Sequence, residues 1–263
     1  MDNATQTKLA VRGCNITLRR TGQGRPLLIL HGASGPGTFL SCLPELAARH
    51  DVILPEHPGF GASDTPSWLD NVGDLANFYM DFMDQLDLRE VDLVGFSLGG
   101  WVAAELAVRN ASRLSSLTLV SSAGINVPGV KRIDPFLLGD EQRILAFFHD
   151  PERAEEMVKL VVRPEHEDTN FKNQTTTARL VWQPRDYDPH LHKWLHRIKV
   201  PTHLIWGAND RLFPKEYALA YQRLIPGSKL TIIPECGHVP PIEQRAAFLA
   251  ALEGFLEGKR AAA

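Results

Sequence analysis

Ser97 lies in Gly95-Phe96-Ser97-Leu98-Gly99, after the apolar stretch Val91 to Val94 and before Gly100-Trp101-Val102-Ala103-Ala104, which reads as a helix. A serine hydroxyl is a poor nucleophile at neutral pH, and a strained strand-to-helix turn can lift it into a cleft beside backbone amides. Such a serine needs a base to take its proton and a carboxylate to orient that base. Asp210 follows the apolar run ending at Trp206, in Gly207-Ala208-Asn209-Asp210-Arg211, and His238 follows the run ending at Ile233, in Glu235-Cys236-Gly237-His238. Taken singly, Asp210 reads as a turn residue and His238 as a surface loop histidine. Taken together, in the order Ser97, Asp210, His238, all three fall at the carboxyl ends of expected strands, as a serine hydrolase requires. His238 would take the Ser97 proton and later protonate the leaving group, while Asp210 would hold its tautomer and stabilise the imidazolium.

An anionic intermediate also needs hydrogen-bond donors. The loop His31-Gly32-Ala33-Ser34-Gly35-Pro36-Gly37 follows the apolar run Leu27 to Leu30, and its small residues let backbone N–H groups approach a substrate oxygen. The amides of Leu98 and Ala33 are the expected oxyanion hole, with Ser34 as the substitute for Ala33. A phosphate-binding loop is the rival reading, but the Gly-Lys-Ser/Thr ending is missing.

The elements that would position these residues alternate. A hairpin or strand pair passes through Arg12-Gly13, and strands follow at Leu27 to Leu30, Val52 to Leu54, Val91 to Phe96, Leu114 to Val120, Thr202 to Trp206 and Leu230 to Ile233. Helices are expected at Phe39 to Arg49, about Gly73 to Leu86, after Ser97, near Lys215 to Leu224 and from about Glu243 to Leu256. Such repeats predict an α/β fold with a mostly parallel central sheet between helices, its chemistry at the carboxyl ends of the strands. From about Ile125 to Arg197 the rhythm breaks into amphipathic segments, including Glu141 to Phe148 and Arg153 to Val162. This divides the chain into a core, 1–124 and 198–263, and an inserted helical cap, 125–197.

Composition narrows the class further. The 263 residues are 44% hydrophobic and 22% charged with a net charge of -3, so a sizeable core is available and nucleic acid is a poor partner. Three cysteines, Cys14, Cys42 and Cys236, fit neither a disulfide framework nor a zinc site and suggest a reducing compartment. The start, Met1 to Thr7, lacks the features of a secretory signal, and no apolar run approaches the roughly 20 residues of a membrane span. A cytoplasmic location is expected, and the sequons at Asn15, Asn110 and Asn173 read as chance. Tri-alanine at the end, Ala261 to Ala263, has no readable role. His192 and His196 stand four apart with His190 nearby, but Lys193 occupies the place of the glutamate in a His-Glu-x-x-His site, so no metal is expected.

Through His31-Gly32, Glu56-His57-Pro58-Gly59-Phe60-Gly61-Ala62-Ser63, Gly95-Phe96-Ser97-Leu98-Gly99, Asp210 and Gly237-His238, the chain resembles the α/β-hydrolase fold family. In that family the position of Glu56 is commonly aspartate, and Glu56 is expected to be structural. Members with an aspartate nucleophile are disfavoured by Ser97. The resemblance implies no cofactor and a small-molecule substrate whose pocket is closed by the cap. Cap candidates are Phe136, Leu137, Phe147, Phe148, Leu180 and Trp182, with Arg179 and Arg185 as cations able to bind a carboxylate. Ser34, Phe147, Arg179, Trp182 and Val239 are the expected substrate contacts. The leading expectation is a carboxylic-ester hydrolase for a small to medium, partly apolar substrate. The loop from His31 to Gly37 also resembles that of carbon-carbon bond hydrolases of aromatic ring-cleavage pathways, in which a cap arginine holds a carboxylate and tryptophan follows the catalytic histidine. Here Val239 and Pro240 follow His238, which makes that activity the alternative. A ligand receptor that keeps the triad without turnover is a third reading.

Overall fold

Arg12 and Gly13 both have positive φ, 52° and 76°, and this turn reverses the chain between β1 (Thr5–Val11) and β2 (Cys14–Thr21). The structure, a computed structural model, describes residues 5–262. Met1 to Ala4, part of the stretch read for a secretory signal, and Ala263 of the tri-alanine end lie outside the described residues.

The remaining strands are β3 (Pro26–Leu30), β4 (Asp51–Pro55), β5 (Val91–Phe96), β6 (Leu114–Val120), β7 (Thr202–Gly207) and β8 (Lys229–Ile233), joined in the order β1-β2-β4-β3-β5-β6-β7-β8. β2 runs antiparallel to β1 and β4, and every other pairing is parallel. A strand as apolar as Leu27-Leu28-Ile29-Leu30 must be covered on both faces. Its side chains accordingly divide between two cores, Leu28 and Leu30 on one face and Leu27 and Ile29 on the other.

The helices of the core are α1 (Gly37–Leu40), α2 (Leu43–Ala47), α3 (Val72–Gln85) and α4 (Leu98–Arg109). Between β6 and β7 lie α5 (Asp140–Phe147), α6 (Pro151–Val161) and α7 (Glu167–Val181), with short 3-10 turns and no strand among the described residues. The chain then adds α8 (Lys215–Leu224), α9 (Pro240–Glu243) and α10 (Arg245–Ala262). Buried residues of α3, α4 and α8 cover one face of the sheet, and those of α1, α2 and α10 cover the other. No helix among the described residues is long and apolar enough to cross a membrane.

One expected helix is broken. Phe39 to Arg49 forms α1 and α2 rather than a single helix, because Pro44 lacks the N–H that would bond back across the junction at Ser41-Cys42. The α7 helix is held to the loop after β4 by polar contacts: Lys172 Nζ donates to the carbonyls of Gly61 and Ser63, Thr176 Oγ1 to that of Gly59, and Gly61 N donates to Asn173 Oδ1. Glu56, expected to be structural, accepts the Ala62 N–H at 2.8 Å and so closes its own loop.

Candidate active site

Ser97 directly follows β5 with φ 53° and ψ -115°, a conformation disfavoured for a residue with a side chain. The turn is imposed from both sides. Ser97 N donates to Val120 O at 2.9 Å, and Ser97 O accepts from Gly100 N and Ala123 N. A Cβ at Gly95 would lie 2.4 Å from Gly99 O, and one at Gly99 would lie 2.1 Å from Leu30 O, so glycine at both positions lets the helix start this close to the sheet.

The serine hydroxyl lies 3.1 Å from His238 Nε2, and His238 Nδ1 lies 2.9 Å from Asp210 Oδ2. The other oxygen of Asp210 accepts the N–H groups of Leu212 and Phe213 at 2.8 and 2.9 Å, which fixes the plane of the carboxylate. A carboxylate can only accept, so Nδ1 carries the proton and Nε2 is left to accept from the serine. All three residues are buried, and the rings of Phe96, Phe147 and Phe213 surround the imidazole.

Leu98 and Ala33 line the same cavity as Ser97, and among the described residues the backbone N–H of neither donates to a protein acceptor. Leu98 begins α4, where the helix has no internal partner for its N–H and concentrates positive potential. Ala33 is oriented through the preceding peptide. Gly32 O faces His31 Nδ1 at 2.7 Å and accepts from Gly35 N, so the trans peptide aims the Ala33 N–H the opposite way. His31 Nε2 accepts the His57 N–H at 2.9 Å, His57 Nε2 donates to His31 O at 2.8 Å, and the Tyr79 hydroxyl completes the chain at His57 Nδ1. Burial lowers His31 to a pKa of about 4 and His57 well below the usual imidazole range, which keeps both neutral.

The cavity has a volume of about 200 Å³ and a mostly apolar wall. Ala33, Ser34, Leu98 and Val239 line it from the core, and Phe136, Leu138, Ile144, Phe147 and Val162 from the segment between β6 and β7.

The Alpha/beta hydrolase family pattern matches residues 27–252 of this chain. The chain belongs to the alpha/beta hydrolase family. It is similar to the 2-hydroxymuconate semialdehyde hydrolase of Pseudomonas sp. (strain CF600), with 28% identity over 97% of this chain and 95% of that protein. It is also similar to the 2-hydroxy-6-oxo-6-phenylhexa-2,4-dienoate hydrolase of Burkholderia cepacia, with 29% identity over 89% and 88% of the two chains. A solved structure of a putative lipase from Acinetobacter baumannii AYE shares the fold, with a TM-score of 0.85, 24% identity, and 100% of this chain and 94% of that one covered.

Of the substrate contacts expected for this hydrolase, Ser34, Phe147 and Val239 line the cavity, and Arg179 and Trp182 do not. Arg179 points outward, its side chain 42% exposed and paired with Asp70 at 2.8 Å, because the inner face of α7 is taken by Asn173, Thr176, Thr177 and Leu180. Trp182 is 54% exposed and stacks under the Arg185 guanidinium. Arg185 in turn pairs with Asp134 and stands outside the cavity, as do Phe148 and Leu180 in their apolar cores and Leu137 at the surface.

The arginine that does face the cavity is Arg143 on α5, together with Asp140, Asn173, Gln174 and Thr177. The sequence signals of Asp140 and Arg143, opposite charges three apart on an amphipathic helix, are those of a solvated face. His192 and His196 occupy separate 3-10 turns rather than one helix, and no group of residues able to hold a metal occurs among the described residues.

Proposed function

We propose that the protein is a serine hydrolase of carboxylic esters with a small to medium, partly apolar acyl or alcohol group. The observation that carries this reading is the unbroken line Asp210, His238, Ser97, ending in an apolar cavity lined by Ala33 and Leu98, whose N–H groups have no protein acceptor among the described residues. Ser97 Oγ attacks the ester carbonyl as His238 Nε2 takes its proton, and the N–H groups of Ala33 and Leu98 receive the developing oxyanion. The imidazolium, stabilised by Asp210, protonates the departing alcohol. Water then hydrolyses the acyl-enzyme by the same route in reverse roles. Residues 125–197 act as the cap that closes the pocket, and the three unpaired, buried cysteines suit a reducing cytoplasm.

Carbon-carbon bond hydrolysis of a ring-cleavage product is the second reading. Relatives bearing names of that activity match nearly the whole chain, and a cavity-facing arginine is available at Arg143. The ester reading takes precedence because that arginine is already neutralised by Asp140.

Turnover of p-nitrophenyl acetate, butyrate and octanoate by wild type and Ser97→Ala tests the proposal. Butyrate turnover by wild type, lost in the variant, is expected. Equal rates in both proteins overturn it and leave a binding role. Spectroscopic decay of a dienol ring-cleavage product faster than any ester in the series moves the assignment to the second reading.

A further inference from the structure

Glu243 is 1% exposed, yet it lies outside the line of residues that handles the proton. It closes the one-turn helix α9, five residues after His238. One carboxylate oxygen accepts the backbone N–H groups of His149 and Asp150 at 2.5 and 2.7 Å, and the other accepts the N–H of Gly237. A single buried side chain thus joins the loop that carries His238 to the segment linking α5 and α6.

The same segment is tied to the active-site loops by further bonds. His238 N donates to Phe147 O at 2.6 Å, and Arg211, adjacent to Asp210, donates to the carbonyls of Leu145 and Phe148 at 2.8 and 3.0 Å. Arg153 of α6 reaches back to the carbonyl of Glu243 at 2.5 Å. Gly237 sits so close to this segment that a Cβ there would lie 2.3 Å from Phe147 O and 2.8 Å from His149 N.

We propose that Glu243 is a positioning residue whose carboxylate locks the His238 loop onto the 145–150 strap and so sets the approach of His238 Nε2 to Ser97 Oγ. Three N–H donors need acceptors at both oxygens. Glutamine offers one acceptor and one amide donor, and the donor would face an N–H group on one side of the lock. This end of the cap is therefore part of the catalytic frame.

The inference rests on the serine-hydrolase reading, so its test uses two readouts. Ser97 labelling by a fluorophosphonate reports the serine-histidine geometry whatever the substrate, and p-nitrophenyl butyrate gives kcat and KM. For E243Q, labelling and kcat are expected to fall about tenfold to a hundredfold, the range for a misplaced catalytic group, with KM within about twofold. E243D, which keeps the carboxylate, is expected to recover part of that loss. Wild-type labelling by E243Q, or a loss confined to KM, overturns the proposal. Should E243Q not fold, E243D and Arg153→Gln decide, since Arg153 is half-exposed and grips the lock from outside. A kcat within about twofold of wild type in both variants overturns the proposal. A wild type that neither labels nor turns over the ester refutes the serine-hydrolase reading, and one that labels without turnover refutes only the ester.

Discussion

The Arg143 guanidinium donates to the Asp140 carboxylate at 2.5 Å within the cavity wall, and the same carboxylate oxygen accepts from Gln174 Nε2 at 2.7 Å. The pair presents donors without net charge to the cavity, where the proposed function puts the distal part of the ester. Removing the negative partner should uncover a cation, and a hydrogen bond to a charged group contributes roughly 1.5 to 3 kcal/mol. Asp140→Asn is therefore expected to raise kcat/KM for a carboxylate-bearing ester about tenfold relative to p-nitrophenyl butyrate, since 1.4 kcal/mol is about a factor of ten. An unchanged ratio places the distal part of the substrate away from Arg143.

Arg179 gives the opposite expectation. Its pairing with Asp70 is solvent-exposed on both sides, and such pairs are worth between nothing and about 1 kcal/mol. Arg179→Ala should leave kcat and KM within about twofold of wild type for neutral and anionic substrates alike. A selective loss with anionic substrates means that the residue swings inward during turnover.

Stability should weaken in mild acid. His31 and His203 are each lowered by burial from 6.5 to about 4, and burial also lowers His57 well below its ordinary value. The unfolded chain binds these protons near pH 6.5 and the folded chain does not, so the stabilisation is complete above that pH and is lost as the pH falls toward 4. The difference between 6.5 and about 4 for His31 corresponds to about 3 kcal/mol. Thermal unfolding followed from about pH 7 to about pH 4 should show a steadily falling Tm, with a shallower slope in His203→Gln. A Tm independent of pH in that interval contradicts the buried neutral state of these imidazoles.

What could be read from the sequence follows physical range. β5, the turn at Ser97 and α4 are specified by contiguous residues, an apolar run followed by glycines that the turn needs, and the elements fall within a residue or two of where the pattern puts them. Asp210 and His238 were accessible because strand ends in a parallel sheet converge whatever their sequence separation. The α7 helix had no legible period, since part of its buried face is Asn173, Thr176 and Thr177, polar side chains that bond to Gly61, Gly59 and the Asn173 carbonyl. For the same reason the sequence points to Arg179 and not to Arg143, because which side of a mostly polar helix faces the cavity depends on partners distant in the chain. Glu243 was invisible altogether, as its three donors are backbone groups that any sequence supplies.

The strain at Ser97 can be separated from its chemistry. With φ 53° and ψ -115° the residue sits where a Cβ is disfavoured, and such a conformation costs on the order of 1 to 3 kcal/mol. Ser97→Ala and Ser97→Gly both remove the hydroxyl and, on the proposed mechanism, should both abolish ester turnover. They differ in the Cβ and in the backbone freedom its loss gives. Alanine retains the Cβ and the strain, whereas glycine relieves the strain and gives back about 1 kcal/mol through the greater entropy of its unfolded chain. Ser97→Gly should therefore be more stable than Ser97→Ala by about 1 kcal/mol, read as a higher urea midpoint at equal m. If the alanine variant is the more stable, the hydrogen bonds that Ser97 N donates to Val120 O and that Ser97 O accepts from Ala123 and Gly100 hold a turn that costs the backbone little, and serine is not under tension.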